Sequence, residues 1–199
     1  MRARLALHAS QIKYEHREVE LKSKPTHMLS LSPKGTVPVL WLPGEDPQQK
    51  GVVIDESLEI MDWALRSNDP LGWLPGDLQD TTQAKLLLQN NDELFKSQLD
   101  RYKYPVRFGL DQANAIKQRD LALNTLLRLE QLLSQRSFLS GDRFGMVDAA
   151  IAPFIRQFAR VDVEWFTNQS FKKLISWLND FEHSQLFLDV MKKVSPRLE

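Results

Sequence analysis

The hydrophobic period of this chain changes across Asn68-Asp69-Pro70-Leu71-Gly72-Trp73-Leu74-Pro75-Gly76, and that change restricts the possible folds more than any other feature. Prolines and glycines so closely spaced exclude a helix interior or a central strand, so the stretch marks a boundary. Before it lie two β-branched runs, Val37 to Leu42 and Gly51 to Ile54. They are separated by Pro43-Gly44 and Asp46-Pro47, which predicts a hairpin. After the boundary, apolar residues recur at three- and four-residue intervals. Leu88, Asn91, Phe95, Leu99 and Tyr102 make one stripe, and Ala122, Leu126, Leu129 and Leu133 a second. Ile151, Phe154, Ile155 and Phe158 make a third, and Phe171, Leu174, Ile175 and Leu178 a fourth. The fold class implied is α+β, a small mixed domain over 1–67, a linker over 68–78 and an all-helical domain over 79–199. A hydrophobic content of 42% in 199 residues is enough for two such cores.

Within the first domain, residues 2–9 read as a short helix on which Leu5 and Ala9 share a face, with no capping residue ahead of it. Tyr14 to Leu21 alternates weakly, which predicts a strand near an edge. Pro25-Thr26-His27-Met28-Leu29 begins a helical turn that Pro33 and Gly35 close. Asp55-Glu56-Ser57 then opens a helix with Ile60, Met61 and Ala64 on one face, ending near Ser67.

Composition excludes several classes. Positive and negative residues number 26 each, and neither half carries the basic excess of a nucleic-acid-binding face. No apolar run approaches the roughly 18 residues of a membrane helix, and Met1 to Ser10 is too short an apolar stretch for a signal peptide. A cytoplasmic location without membrane or nucleic-acid partners is therefore expected. Zero cysteines leave no disulfide, thiolate metal site or thiol nucleophile in this sequence. His8, His16, His27 and His183 are scattered without metal-ligand spacing, so no metal site is expected.

Two places carry chemistry. Val37-Pro38 opens the first hairpin strand, and an X-Pro bond is the one peptide bond for which the cis form costs as little as about 0.5–1 kcal/mol. A cis bond would turn the Val37 backbone toward a ligand, whereas a trans proline would simply open an edge strand. Glu56-Ser57 stands at a helix start, where free N–H groups and the helix dipole favour a carboxylate. Plain capping by Asp55 or Ser57 is the alternative.

The order of elements and these residues resemble the glutathione transferase family, from Met1 to about Lys193. The opening Met1-Arg2-Ala3-Arg4-Leu5-Ala6-Leu7 is similar to the first helix of omega-related and bacterial cysteine-type members. There the helix follows a first, central strand and a Cys-Pro motif. The resemblance implies a thioredoxin-like first domain followed by the family's helical domain. It also implies an incomplete first domain here, its first strand absent; an internal Met taken as the start, with the cysteine just upstream of Met1, is expected in preference to an evolved truncation or a strand supplied by another chain. No catalytic residue is then expected within this chain.

What the resemblance implies for binding is specific. Glutathione, as co-substrate, would pair with the Val37 backbone beside cis Pro38, and Glu56 and Ser57 would hold its γ-glutamyl end. Lys24 would reach the glycyl carboxylate, with Lys34 and Thr36 at the rim. A pocket from Asn91, Phe95, Tyr102, Tyr104, Arg107 and Phe108 would take a small hydrophobic or disulfide second substrate, although an aromatic stripe at helical spacing is more often core. The resemblance also implies a homodimer. Ser140 to Asp148 resembles the family's capping box before a buried helix, with Gly145 at the N-cap, so Asp148 is expected to be structural. The activity implied is transfer or exchange of the glutathione thiol. The alternative is a non-catalytic binding or regulatory protein on the same scaffold.

Overall fold

The computed structural model describes residues 1–44, 46, 51–76 and 78–194, with the backbone alone for 78–80. The chain forms two compact units. The first is Met1–Leu71 together with the residues from Leu188 onward, and the second is Gly72–Phe187.

In the first unit, helix α1 (Arg2–Ala9) packs on α3 (Ser57–Ser67). Leu5, Ala6 and Ala9 are buried from one helix, and Ile60, Met61, Ala64 and Leu65 from the other. Each of the larger side chains contributes about 1.5–3 kcal/mol by leaving water. Beyond the end of α3, Asn68 donates its side-chain N–H to the Ser10 carbonyl at 2.8 Å, tying the C-terminal ends of the two helices together. Helix α2 (Thr26–Leu31) is the short turn predicted before Pro33 and Gly35.

The hairpin is present but shorter than its β-branched runs. Strand β1 (Leu40–Leu42) pairs antiparallel with β2 (Val52–Ile54), Trp41 opposite Val53. Of the predicted turn, Pro47 lies outside the described residues. The strand predicted over Tyr14 to Leu21 is not formed, and the segment contributes only an isolated bridge between Glu20 and Ser23. Not one residue of this segment is buried. Its charges pair with one another instead, Arg17 with Glu15 at 3.0 Å and His16 with Glu18 at 3.4 Å. Alternation without an apolar face gives a strand nothing to bury.

The second unit is helical. Helix α4 (Leu78–Gln89) runs through a π-helical segment (Asn90–Phe95) into α5 (Lys96–Lys103). A 3₁₀ turn (Pro105–Phe108) ends at Gly109, whose φ of 64° suits glycine. There follow α6 (Gln112–Gln135), α7 (Met146–Ala159), α8 (Val163–Thr167), α9 (Lys172–His183) and α10 (Gln185–Val190). The second and fourth predicted stripes place Leu126, Leu129, Leu174 and Leu178 in the core, and α7 is buried almost all round. An aromatic cluster centres on Phe158, with the rings of Phe95 at 5.4 Å, Tyr102 at 5.3 Å and Phe166 at 6.4 Å.

Two of these helices take their N-terminal caps from distant residues. Helix α9 begins after Phe171, which has no acceptor. The Glu130 carboxylate of α6 receives the N–H groups of Lys173 at 3.2 Å and Leu174 at 2.7 Å. Helix α7 begins after Gly145, and the Ser140 hydroxyl accepts from the N–H groups of Val147 at 3.2 Å and Asp148 at 3.4 Å. These are the second and third helical N–H groups, the two that an N-cap side chain ordinarily satisfies.

Candidate functional site

In the first unit, a loop from Ser32 to Val37 carries Lys34, Thr36 and Val37 of the candidate binding residues and leads into Pro38. Its conformation begins with Gly35, whose φ of 61° lies in the left-handed region. A Cβ there would stand 3.2 Å from the Leu29 side chain and 4.0 Å from Cδ of Lys24, so the glycine keeps the loop against the half-buried lysine stem. The Val37-Pro38 peptide bond is cis. Val37 is 47% exposed, and no described residue is hydrogen bonded to its N–H or C=O.

On the other side of the loop stands the start of α3. Glu56 is its N-cap residue, with extended backbone and an exposed side chain, and its carbonyl accepts the first intrahelical bond from Ile60 at 3.0 Å. Ser57, half-buried, is the first helical residue. The opening N–H groups of a helix have no intrahelical acceptor, and they carry the positive end of its dipole. An anion arriving here meets both.

A polar chain fixes the loop to the helix. Ser32, buried, donates its hydroxyl to Asp55 Oδ2 at 2.7 Å. Lys34 Nζ lies 3.1 Å from Asp55 Oδ1 and 2.9 Å from Glu56 Oε1. The Ser32 hydroxyl and then the Lys34 ammonium hold the Asp55 carboxyl below its ordinary value of 3.8. The same contacts, Glu56 first, raise the Lys34 ammonium above its ordinary 10.5. Ser32 was not identified from sequence, and Asp55 was read there only as a helix-opening residue and alternative cap. The signal for Ser32 was a serine directly before Pro33.

The second group of candidates divides in two. Phe95 and Tyr102 lie in the aromatic core around Phe158. Asn91 is 2% exposed, in the π segment; its side-chain N–H donates to Asp92 Oδ1 at 2.7 Å, and its Oδ1 has no hydrogen-bond partner. Tyr104, Arg107 and Phe108 are exposed, the first and last beneath cations, Lys103 over Tyr104 at 4.9 Å and Arg101 over Phe108 at 5.2 Å. The structure therefore does not bring all six side chains to one surface of this unit. Sequence gave no sign of the π segment beyond the polar pair Asn90-Asn91 in an apolar stripe; Asn90 accepts from the Thr125 hydroxyl at 3.1 Å.

Asp148 is fully buried and receives four N–H donors: the backbones of Leu139 at 2.8 Å, Ser140 at 2.9 Å and Gly145 at 3.2 Å, and the Trp177 indole at 2.8 Å. Burial pushes its carboxyl above the ordinary aspartate value, and the donors pull the other way. Around this cap a polar cavity of about 340 Å³ is lined by Trp73, Gly76, Arg136, Ser140 and Arg143 among others, and includes none of the predicted binding residues. No cluster of described residues has the make-up of a metal site, and no helix among them is long and apolar enough to cross a membrane.

Residues 1–66 match the glutathione S-transferase N-terminal domain and residues 87–180 its C-terminal domain. Glutathione S-transferase U24 of Arabidopsis thaliana is 30% identical over 182 residues, covering 89% of this chain and 77% of that protein. FtsZ-localized protein A of Caulobacter vibrioides is 26% identical, covering 98% of this chain and 87% of that one. A glutathione transferase family member from Pseudomonas fluorescens, solved with two glutathione bound, shares the fold with a TM-score of 0.77 at 17% identity, over 95% of this chain and 86% of that one.

Proposed function

This chain belongs to the glutathione S-transferase family, and from that premise we propose that its first unit binds glutathione through the loop at 32–37 and the start of α3. The observation that carries this reading is the exposed Val37, to whose N–H and C=O no described residue is hydrogen bonded, on a loop that Lys34 ties to Glu56 at a helix N-terminus. The peptide backbone of the ligand pairs with the Val37 N–H and C=O, as one strand pairs with another. Its γ-glutamyl carboxylate sits on the Ser57 hydroxyl and the N–H groups opening α3, and its ammonium on Glu56. Lys24 meets the glycyl carboxylate.

Bound this way, the ligand offers its thiol for transfer to a small hydrophobic electrophile or for exchange with a disulfide. In the exchange, the thiolate sulfur attacks one sulfur of the disulfide, a new S–S bond forms and the second sulfur leaves as thiolate. No residue of this sequence is assigned to the attack. Exposed Tyr104, Arg107 and Phe108 are the second-substrate candidates that fit a surface role.

Calorimetric titration with glutathione tests the binding. Ser57→Ala and Glu56→Ala should each weaken it by about tenfold or more, the loss of one charge-assisted contact. Unchanged binding in both removes the assignment. A second reading, binding or regulation without chemistry, is favoured by the similarity to FtsZ-localized protein A. Turnover of a disulfide or an electrophile with glutathione separates the two.

A further inference from the structure

The carboxylate assigned to the ligand's ammonium already holds an ammonium. Lys34 Nζ is 2.9 Å from Glu56 Oε1, and no other described side chain is hydrogen bonded to the Glu56 carboxylate. The same Nζ is 3.1 Å from Asp55, which the buried Ser32 anchors at 2.7 Å. Two ammonium groups on one exposed carboxylate repel each other at a range comparable to their separation from it. An arriving ammonium therefore either displaces Lys34 or binds against its charge.

We infer that Lys34 is an internal competitor for the ligand's α-ammonium: it occupies Glu56 in the free protein and withdraws to Asp55 when a γ-glutamyl ligand binds. This rests on the reading of Glu56 as the ammonium acceptor. Asp55 makes the exchange inexpensive, because Lys34 keeps one of its two anionic partners throughout. The consequence is a site whose affinity for amino-bearing ligands is held below what Glu56 alone would give, while ligands without that group escape the competition.

The test pairs one substitution with two ligands, glutathione and its deaminated analogue, in which hydrogen replaces the α-amino group. Lys34 is 55% exposed at its side chain, so Lys34→Met leaves packing undisturbed. Lys34→Met should bind glutathione roughly two- to fivefold more tightly, the worth of an exposed ion pair, and the analogue equally or less tightly than the wild type does. A loss of glutathione affinity, or the same change for both ligands, overturns the proposal. Glu56→Gln in the same titrations keeps the two readings apart. If it leaves glutathione affinity unchanged, the assignment of Glu56 falls and the proposal with it. If it weakens glutathione alone while Lys34→Met gives no gain, only the competition falls.

Discussion

Exchanging the residues at positions 140 and 145 should expose how the buried helix α7 is capped. Glycine at the N-cap has no acceptor, and Ser140 supplies the hydroxyl from five residues upstream. The two positions exclude each other sterically. A Cβ on Gly145 would stand 2.8 Å from both Cβ and Oγ of Ser140, and 3.2 Å from the Trp73 carbonyl. The Gly145 backbone, at φ −151° and ψ −161°, is one any residue adopts, so space alone bars a side chain. Removing the hydroxyl by Ser140→Gly should cost about 1–2 kcal/mol, the value of an N-cap plus a more flexible unfolded chain. Gly145→Ser alone forces a collision and should cost about 1–3 kcal/mol. Together, Ser140→Gly and Gly145→Ser return a hydroxyl to the N-cap and clear the atoms it would strike. Only the close approach to Trp73 and the new glycine remain, and the double variant should lose about 1 kcal/mol. The single losses would sum to about 2–5 kcal/mol, so the expected coupling is favourable by about 1–4 kcal/mol. Urea unfolding followed by tryptophan fluorescence measures it, with Trp73 and Trp177 both beside the cap. Additive losses in the double variant would refute the account of Ser140 as a surrogate cap.

Asp148→Ala leaves three backbone N–H groups and the Trp177 indole without an acceptor. At about 1–3 kcal/mol for each buried orphan, not fully additive, the loss should reach at least about 4 kcal/mol in the same unfolding assay. The pH dependence of the first unit should run through Asp55. Its carboxyl lies below 3.8 in the folded protein, so the stabilisation by Ser32 and Lys34 is in place above 3.8 and is lost as pH falls through the lower folded value. Asp55→Asn should therefore lower the urea midpoint at neutral pH and matter progressively less below 3.8. A gap between the two proteins that stays constant with pH would contradict that assignment.

Periodicity disclosed the helices because each buries a continuous stripe, as Ala122, Leu126, Leu129 and Leu133 do along α6. The Val37-Pro38 turn and the start of α3 were legible for a different reason. A proline at a strand entry and an acidic-hydroxyl helix start are local chemistry, readable without knowing any partner. Features that depend on distant partners were not legible. Glu130 caps a helix more than forty residues away, Ser140 substitutes for an absent N-cap side chain, and Lys34 reaches Asp55 and Glu56 across the hairpin. The alternation at Tyr14 to Leu21 misled because period alone says nothing about whether a face is covered. Phe95 and Tyr102 show the same limit, since a helical aromatic stripe does not distinguish a core from a pocket.

The most direct measurement of the central claim is a titration of the ¹⁵N-labelled protein with glutathione, following each backbone amide by NMR. Gly35, Thr36, Val37 and Ser57 should shift most and saturate together, and Glu56→Ala and Ser57→Ala should each cut the shifts by roughly half or more at a ligand concentration about ten times the wild-type Kd, where a tenfold loss of affinity leaves the site about half filled. Saturable shifts centred on the polar cavity around Trp73, Ser140 and Arg143, or no shifts at all, would contradict that claim.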